Sequence, residues 1–210
     1  MNKLALVIGH KESSQGAVNK DSGVTEWGFN SRFVKKITRE LWEKHQWNIL
    51  GFPNSKHNQA RIFHRTSTIT DLVNRINAWN PDLAIEFHCN SYKEKWIAKL
   101  LRFEKEATGT EMLLSKIHKP IFGKPLSSFL IKANNISLAI SDTLGINFRP
   151  AKFRGRWQRG GYFLNKTKCK AIIAETFFID NNSDLAKANE NYDKLVQAPV
   201  DWIVNYFKER

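Results

Sequence analysis

Two histidines follow short apolar segments of the chain. His10 comes just after residues 4–8, and His88 directly follows residues 83–87. Apolar, partly β-branched runs of this length are typical of buried strands, and functional sites in open α/β sheets collect at the carboxyl ends of strands. Catalytic zinc commonly takes two histidines and one carboxylate, with a position open for water. The sequence therefore predicts a metal site at which His10 and His88 converge.

Glu26 is the candidate for the third ligand. It opens a segment with apolar residues at helical spacing, namely Phe29, Phe33, Ile37 and Leu41. A helix start also stabilises a carboxylate through the helix dipole, so a first-turn acid without a metal is the alternative interpretation.

Glu175 closes a third apolar run, residues 171–174. A carboxylate at such a place is costly to bury unless a cation, a metal-activated water or a hydrogen-bond network faces it. A structural ion pair with Arg75 is the alternative. Glu86 shares a strand face with His88 by alternation, and it either supports that histidine or is paired elsewhere.

Helical patterns separate the predicted strands. One contains Ile69, Leu72, Val73, Ile76 and Trp79, and another contains Phe129, Ala133, Ile136 and Ile140, with Gly145 at its end. Ser183 is a candidate cap for a last helix, which Pro199 is expected to break or kink. Strands alternating with helices indicate a single α/β domain over residues 1–210. We expect a mostly parallel mixed sheet with helices on both faces.

The chain has 210 residues and a formal net charge of +13, which favours polyanionic partners such as nucleic acid, anionic membranes or an acidic cell envelope. Cys89 and Cys169 lie among apolar residues, as buried thiols do, and do not suggest a disulfide framework. Residues 1–8 are too short for a signal-peptide core, and no run is long enough to span a membrane. We therefore expect a soluble protein made in the cytoplasm.

Two segments stand apart from this pattern. Residues 93–107 combine an apolar face with several basic residues, which fits a surface helix packed on the domain or, alternatively, one that contacts a membrane. Residues 148–163 interleave basic and aromatic side chains with glycines and indicate a loop. Serine-nucleophile, phosphate-loop, dinucleotide and H-E-x-x-H signatures are absent from the sequence.

The ordered motifs resemble the zinc-dependent N-acetylmuramoyl-L-alanine amidase family, the amidase-3 type of bacterial wall remodelling and phage endolysins. The resemblance covers most of the chain. Its motifs are Val7-Ile8-Gly9-His10, Ser14-Gln15-Gly16-Ala17, Gly23-Val24-Thr25-Glu26, Leu72-Val73-Asn74-Arg75, Glu86-Phe87-His88-Cys89-Asn90, Gly109-Thr110-Glu111 and Ile173-Ala174-Glu175-Thr176. Three features depart from the family pattern: Trp79 between Ala78 and Asn80, Glu86 in place of a small polar residue, and residues 93–107 as a probable insertion.

The resemblance implies one Zn²⁺ per chain, held by His10, Glu26 and His88, with Glu175 as the catalytic general base. The reaction would be hydrolysis of the amide bond between N-acetylmuramic acid and L-alanine. Expected substrate-binding residues are Arg75, Asn90, Arg154 and Trp157. Expected partners are peptidoglycan and the anionic envelope, with no nucleic acid, no membrane span and no separate wall-binding domain, so the protein would act at the cell wall or periplasm.

Alternative functions remain open at the level of the sequence. A zinc carboxypeptidase or other wall peptidase would use similar ligands, as would a metallonuclease. A non-enzymatic nucleic-acid-binding module would explain the basic charge and the interleaved aromatic residues. It would not explain why histidines and acids lie at strand ends.

Overall fold

Strands and helices alternate along the chain in a computed structural model that describes residues 1–49, 57–92, 107–121 and 125–209. The strands are β1 (Lys3–Ile8), β2 (Gln59–His64), β3 (Leu83–Asn90), β4 (Glu111–Ser115), β5 (Lys152–Arg154) and β6 (Lys170–Phe178). The α-helices are α1 (Glu26–His45), α2 (Ile69–Trp79), α3 (Ser128–Leu144), α4 (Gly161–Lys166), α5 (Asn182–Glu190) and α6 (Tyr192–Lys208), and a short 3₁₀ helix spans Lys116–His118. The surface helix predicted within residues 93–107 lies outside the described residues, apart from Ala107.

The six strands form one mixed sheet in the order β2-β1-β3-β6-β4-β5. β1 pairs in parallel with both β2 and β3, and β3 pairs in parallel with β6. β4 runs antiparallel to β6 and parallel to β5. The predicted α/β architecture is confirmed, and the parallel centre brings the carboxyl ends of β1, β3 and β6 to the same edge.

Helices cover both faces of this sheet, as predicted. Alternate residues of β1 point to opposite faces: Leu4, Leu6 and Ile8 join the larger apolar cluster with α1, α3, α5 and α6. Ala5 and Val7 join the smaller cluster with α2 and α4. Burial on both faces explains why β1, β3 and β6 are continuous apolar runs.

α1 places Glu26 at the edge where β1 and β3 end. Thr25 caps the helix, with its side chain accepting a hydrogen bond from the backbone N–H of Gly28. The four apolar residues at helical spacing are all fully buried. The helix therefore packs along the sheet with its first residue at the candidate site.

Three local features differ from the sequence expectations. Asn181, one residue before α5, is the cap in place of Ser183. The final helical stretch divides at Asn191, and α6 continues through Pro199 without a break. Asn191 ends one helix and begins the next, so the chain turns there before the proline is reached. Residues 148–163, expected to form a loop, include β5 and the start of α4. Glycines and basic residues are untypical of strands and helices, so the sequence did not indicate these two elements.

Asp184 ties the end of β6 to the chain that leads into β4. Its buried carboxylate accepts hydrogen bonds from the backbone N–H groups of Gly109 and Phe178, each at 3.1 Å, and from the Thr108 hydroxyl. These contacts hold two strands that border the candidate site.

Replacement of Asp184 by Ala should lower the free energy of unfolding by about 2–4 kcal/mol, because buried donors would lose their acceptor. Urea unfolding measures this effect. Asp142→Ala is the control, because Asp142 is exposed on α3, and it should change the free energy by less than about 0.5 kcal/mol. Equal effects of the two substitutions would show that Asp184 does not tie the strands together.

Candidate metal centre and active site

The side chains of His10, Glu26 and His88 meet at the carboxyl edge of the sheet. Nε2 of His10 lies 2.9 Å from one Glu26 carboxylate oxygen, and Nδ1 of His88 lies 2.8 Å from the other. One potential ligand atom from each residue falls within 4.8 Å of the others, a grouping able to hold a metal ion. The structure thus brings together the three residues that the sequence singled out.

Backbone amides fix the Glu26 carboxylate from two sides. The N–H of Ala17 donates to Oε2 at 3.0 Å, and the N–H of Cys89 donates to Oε1 at 3.1 Å. The carboxylate is fully buried, so these bonds offset part of its desolvation. Sequence reasoning missed both donors because backbone groups leave no trace in residue types.

Charge interactions in the cluster shift the titration of two members. Burial by itself raises the pKa of Glu26, but the interactions with His10 and His88 outweigh it and hold the pKa well below its usual range. Burial by itself lowers the pKa of His88, yet the nearby carboxylates of Glu86 and Glu26 bring it well above the usual value. The site is therefore built around an anionic carboxylate that requires positive charge beside it.

Two glycines let the backbone approach the imidazoles. A Cβ at Gly9 would lie 2.5 Å from the carbonyl oxygen of Phe87 and 2.6 Å from Cε1 of His88. A Cβ at Gly16, where φ is +78°, would lie 2.4 Å from Oε2 of Glu26. His10 itself has a φ of 63°, an uncommon conformation for a residue with a side chain.

Glu86 faces the outer nitrogen of His88. Its Oε1 lies 3.5 Å from Nε2 of His88, on the same strand face, as alternation predicts. A carboxylate at this position favours a proton on Nε2, which leaves Nδ1 as the nitrogen that can bind a metal. Glu86 thus supports the orientation of His88.

Glu175 lies beside the cluster because β6 runs in register with β3, where it pairs with His88. The side chain is buried and its Oε2 has no hydrogen-bond partner among the described residues. Burial raises the pKa of Glu175, the charges of His88 and Arg159 oppose this shift, and the carboxylates of Glu26 and Glu111 reinforce it. The alternative ion pair with Arg75 is not formed, since Arg75 binds Asp71 instead.

Glu111 flanks Glu175 from the antiparallel side of the sheet. Its Oε2 lies 2.6 Å from Nζ of Lys152, and its Oε1 accepts a hydrogen bond from the side chain of Asn90 at 2.9 Å. In the sequence Glu111 stood out only within a family motif, although its place before the apolar run 112–114 was a signal for a strand. The ion pair with Glu111 places Lys152, which belongs to the basic segment 148–163, next to the site.

Only some of the residues expected to bind substrate lie at this site. Asn90 reaches the site through Glu111. Arg75 bonds Asp71 and the carbonyl oxygen of His64, which gives it a structural role on α2. Trp157 is 87% exposed with the guanidinium of Arg156 over its ring, and Arg154 is half-buried on β5.

The donor set suits zinc. It consists of two imidazole nitrogens and one carboxylate, and Nε2 of His10 is buried and has no hydrogen-bond partner among the described residues, although it lies 2.9 Å from the Glu26 carboxylate. Catalytic zinc sites use this combination of three protein ligands and leave a position for water. The fold and the site define the class of protein: a single-sheet α/β hydrolase with a candidate two-histidine, one-carboxylate metal centre.

The chain belongs to the N-acetylmuramoyl-L-alanine amidase family, whose model matches residues 4–205. This membership confirms the resemblance noted in the sequence and identifies the chain as a hydrolase that acts on peptidoglycan. A search of curated protein sequences gave no significant match.

Several solved structures share this fold. An N-acetylmuramoyl-L-alanine amidase from Clostridium difficile 630 has a TM-score of 0.74 at 18% identity, over 100% of this chain and 98% of that one. The catalytic domain of CwlV from Bacillus (Paenibacillus) polymyxa var. colistinus has a TM-score of 0.72 at 16% identity, over 100% of both chains. The catalytic domain of the CD27L endolysin, which targets Clostridia difficile, has a TM-score of 0.66 at 19% identity, over 98% of both chains.

Two further expectations concerned the cysteines and membrane-spanning helices. Both cysteines are free thiols, as predicted. Within residues 1–49, 57–92, 107–121 and 125–209, no helix has the length and apolar character needed to cross a membrane.

Substitution of Gly16 by Ala should weaken zinc binding by at least ~10-fold, because the added methyl group displaces Glu26 and His10. Competition with a chromogenic chelator measures the affinity. Gly23→Ala is a matched control: its φ is +71°, but nothing lies within 4 Å of the added Cβ. Both variants should lose about 1–2 kcal/mol of stability from the left-handed backbone. If both bind zinc like the parent chain, Gly16 does not shape the cluster.

Proposed function

We propose that this chain cleaves the amide bond between N-acetylmuramic acid and L-alanine in peptidoglycan by zinc-assisted hydrolysis. The observation that carries the proposal is the convergence of His10, Glu26 and His88 beside the buried carboxylate of Glu175. Family membership supports the choice of substrate, and the geometry supports the choice of residues. The whole chain would act as one catalytic domain at the cell wall.

The three ligands would hold one Zn²⁺ through Nε2 of His10, the Glu26 carboxylate and Nδ1 of His88. When bound, zinc would polarise the scissile carbonyl and increase the acidity of the attacking water. Binding of zinc through Nδ1 of His88 requires that this nitrogen be free of a proton. Glu86 would keep the other ring nitrogen protonated and the ring correctly oriented.

Glu175 would be the general base. The free Oε2 of its carboxylate is available to accept a proton from the attacking water, and the same oxygen would return a proton to the departing alanine nitrogen. Its raised pKa, caused first by burial, makes it a stronger base than an exposed carboxylate. The charges of His88 and Arg159 oppose this rise of the pKa.

A wall peptidase with the same ligands is the nearest alternative, since zinc and a glutamate base hydrolyse any suitably placed amide. A non-enzymatic nucleic-acid module is disfavoured, because it has no need for a buried acid beside two clustered imidazoles. The amine that is released distinguishes the amidase from the wall peptidase. An amidase exposes the amino group of L-alanine, and a peptidase exposes the amino group of another residue.

Glu175→Gln should lower kcat on a soluble muramoyl peptide by about 10²- to 10⁴-fold, because the amide cannot accept the proton. Zinc content, measured by atomic absorption, should remain at one ion per chain. Glu190→Gln is the control, because Glu190 is exposed on α5 and is not one of the site residues. A folded Glu175→Gln protein with parental turnover would refute the assignment of the base.

The basic surface would hold the enzyme on its anionic substrate. The net charge of +13 favours attachment to an acidic envelope. The exposed basic residues of segment 148–163 would contribute to this attachment.

Binding to purified walls should therefore fall steeply as salt rises from about 0.05 M to about 0.5 M, because ions screen exposed charges. Sedimentation of the Glu175→Gln variant with walls measures binding without digestion. A sugar osmolyte at matched osmolality is the control and should leave binding unchanged. Retention at high salt equal to that at low salt would exclude a mainly electrostatic attachment.

A further inference from the structure

Four large apolar side chains are exposed in two segments of the chain. Ile117 in the 3₁₀ helix is 82% exposed, and Ile121 and Leu126, which follow it, are more than half exposed. Trp157, in the loop between β5 and α4, is also almost fully exposed. We call these four residues the apolar patch. Apolar surface that gathers in this way, instead of being scattered singly, indicates a contact with something outside the chain.

One side chain of α4 ties the starts of the two segments together. Oδ1 of Asn165 accepts a hydrogen bond from the Ser115 hydroxyl at 2.7 Å. Nδ2 of Asn165 donates to the carbonyl oxygens of Gly161 at 2.7 Å and Arg154 at 3.1 Å. Ser115 immediately precedes the 3₁₀ helix, and the other two residues flank the loop of the exposed tryptophan. Both segments therefore leave the domain at the same place.

Internal hydrogen bonds hold the loop that carries Trp157. The backbone N–H of Gly155 donates to the side-chain oxygen of Gln158 at 2.7 Å, and the backbone N–H of Gln158 donates to the carbonyl oxygen of Gly155 at 3.0 Å. The N–H of Gly161 closes the loop through the carbonyl oxygen of Gln158 at 2.7 Å. The guanidinium of Arg156 lies 4.7 Å from the centroid of the indole ring. The loop thus presents an aromatic ring and a positive charge together.

The 3₁₀ helix lies at the opposite edge of the sheet from the metal-ligand cluster. β4 runs antiparallel to β6, so β4 ends near Lys170, where β6 begins. The ring of His118 in the 3₁₀ helix lies 4.7 Å from that of Phe129, and Nζ of Lys170 lies 5.3 Å from the Phe129 ring. Glu175 is close to the other end of β6. A surface bound at Ile117 therefore leaves the edge with the cluster uncovered.

Basic residues surround the apolar patch. Residues 112–179 include 12 lysines and arginines but only two acids, one of which is buried, so this stretch supplies most of the net charge of +13. Lys116, Lys119 and Arg156 are exposed within the two segments of the patch. None of the three forms an ion pair with a carboxylate of the described residues. Their charges are therefore available to an anionic partner.

This combination matches the interface of an anionic lipid bilayer. Tryptophan is enriched at the level of the lipid headgroups, and aliphatic side chains gain free energy when they leave water for the acyl chains. Lysine and arginine extend their apolar stems along such a layer and keep their charges among the headgroups. Nucleic acid or an anionic wall polymer would attract the cations equally, but neither offers a hydrocarbon layer for Ile117 and Ile121.

We propose that the apolar patch and its flanking cations dock this chain onto the surface of an anionic lipid bilayer. The side chains of Ile117, Ile121 and Trp157 would enter the boundary between headgroups and acyl chains, which is a peripheral contact and needs no spanning helix. The edge with the metal-ligand cluster would face away from the bilayer. The docking is independent of the reaction at that cluster.

Sedimentation of the full chain with sucrose-loaded vesicles of equimolar phosphatidylglycerol and phosphatidylcholine tests the docking. Ile117→Ser/Ile121→Ser should lower the partition coefficient by about 10- to 50-fold, because two aliphatic side chains no longer leave water. Leu138→Ser is the matched control, since Leu138 is an exposed aliphatic residue further along α3, and it should bind like the parent chain.

The role of the cations is tested with the same vesicles. Lys116→Gln/Lys119→Gln should lower the partition coefficient by about 10- to 30-fold, because each basic residue near an anionic leaflet contributes about fivefold. Lys20→Gln/Lys35→Gln removes two exposed lysines outside the patch and should have less than about a third of that effect. Vesicles of phosphatidylcholine alone should bind the parent chain at least ~10-fold more weakly. Unfolding at the parental temperature shows that the variants are folded.

Three results would overturn the proposal. The first is no binding of the parent chain to the anionic vesicles, or equal binding to the neutral ones. The second is parental binding of the isoleucine variant, since charge alone would then hold the chain on the vesicles. The third comes from a single-stranded oligonucleotide, which the parent chain and the isoleucine variant should bind equally. A loss of oligonucleotide affinity equivalent to the loss on vesicles would assign the apolar patch to nucleic acid instead.

Discussion

The carboxylate of Glu26, fully buried between two imidazole rings, constrains much of the surrounding structure. A buried anion is costly unless hydrogen bonds and positive charge compensate it. Two backbone amides and two histidines supply that compensation, and they come from two parts of the chain, the loop after β1 and the end of β3. The cluster therefore joins the loop after β1, the start of α1 and the end of β3.

Pairing of the central strands positions the other residues of the site relative to the Glu26 cluster. Parallel pairing of β1 and β3 brings His10 and His88 to one edge, and parallel pairing of β3 and β6 sets Glu175 beside His88. Antiparallel β4 then places Glu111 on the other side of Glu175, where Lys152 and Asn90 bind it. One edge of the sheet thus holds several buried carboxylates with different neighbours.

Much of the fold and the candidate site was predictable from the sequence, because buried parallel strands are continuous apolar runs and their ends are marked by polar residues. His10, His88 and Glu175 stand out for that reason, and α1 is marked by apolar residues at helical spacing. β5 escaped prediction because it is short and basic. The division of the last helical stretch at Asn191 was missed because a proline was the stronger local signal.

The tertiary features of the site could not be predicted from the sequence, for a different reason. The amides of Ala17 and Cys89 that hold Glu26 depend on how loops close. Residue type says nothing about such distances. The contact between Glu86 and His88 is an intermediate case, since alternation predicted the shared face but not the partner.

The most direct measurement is the identification of the amino groups released when the zinc-loaded protein digests purified peptidoglycan, with a chelator-treated sample alongside. Labelling of new amino termini should yield alanine in the zinc-loaded digest and none above background after chelation. Alanine released at an undiminished rate by metal-free protein, or another residue as the new amino terminus, would contradict the account.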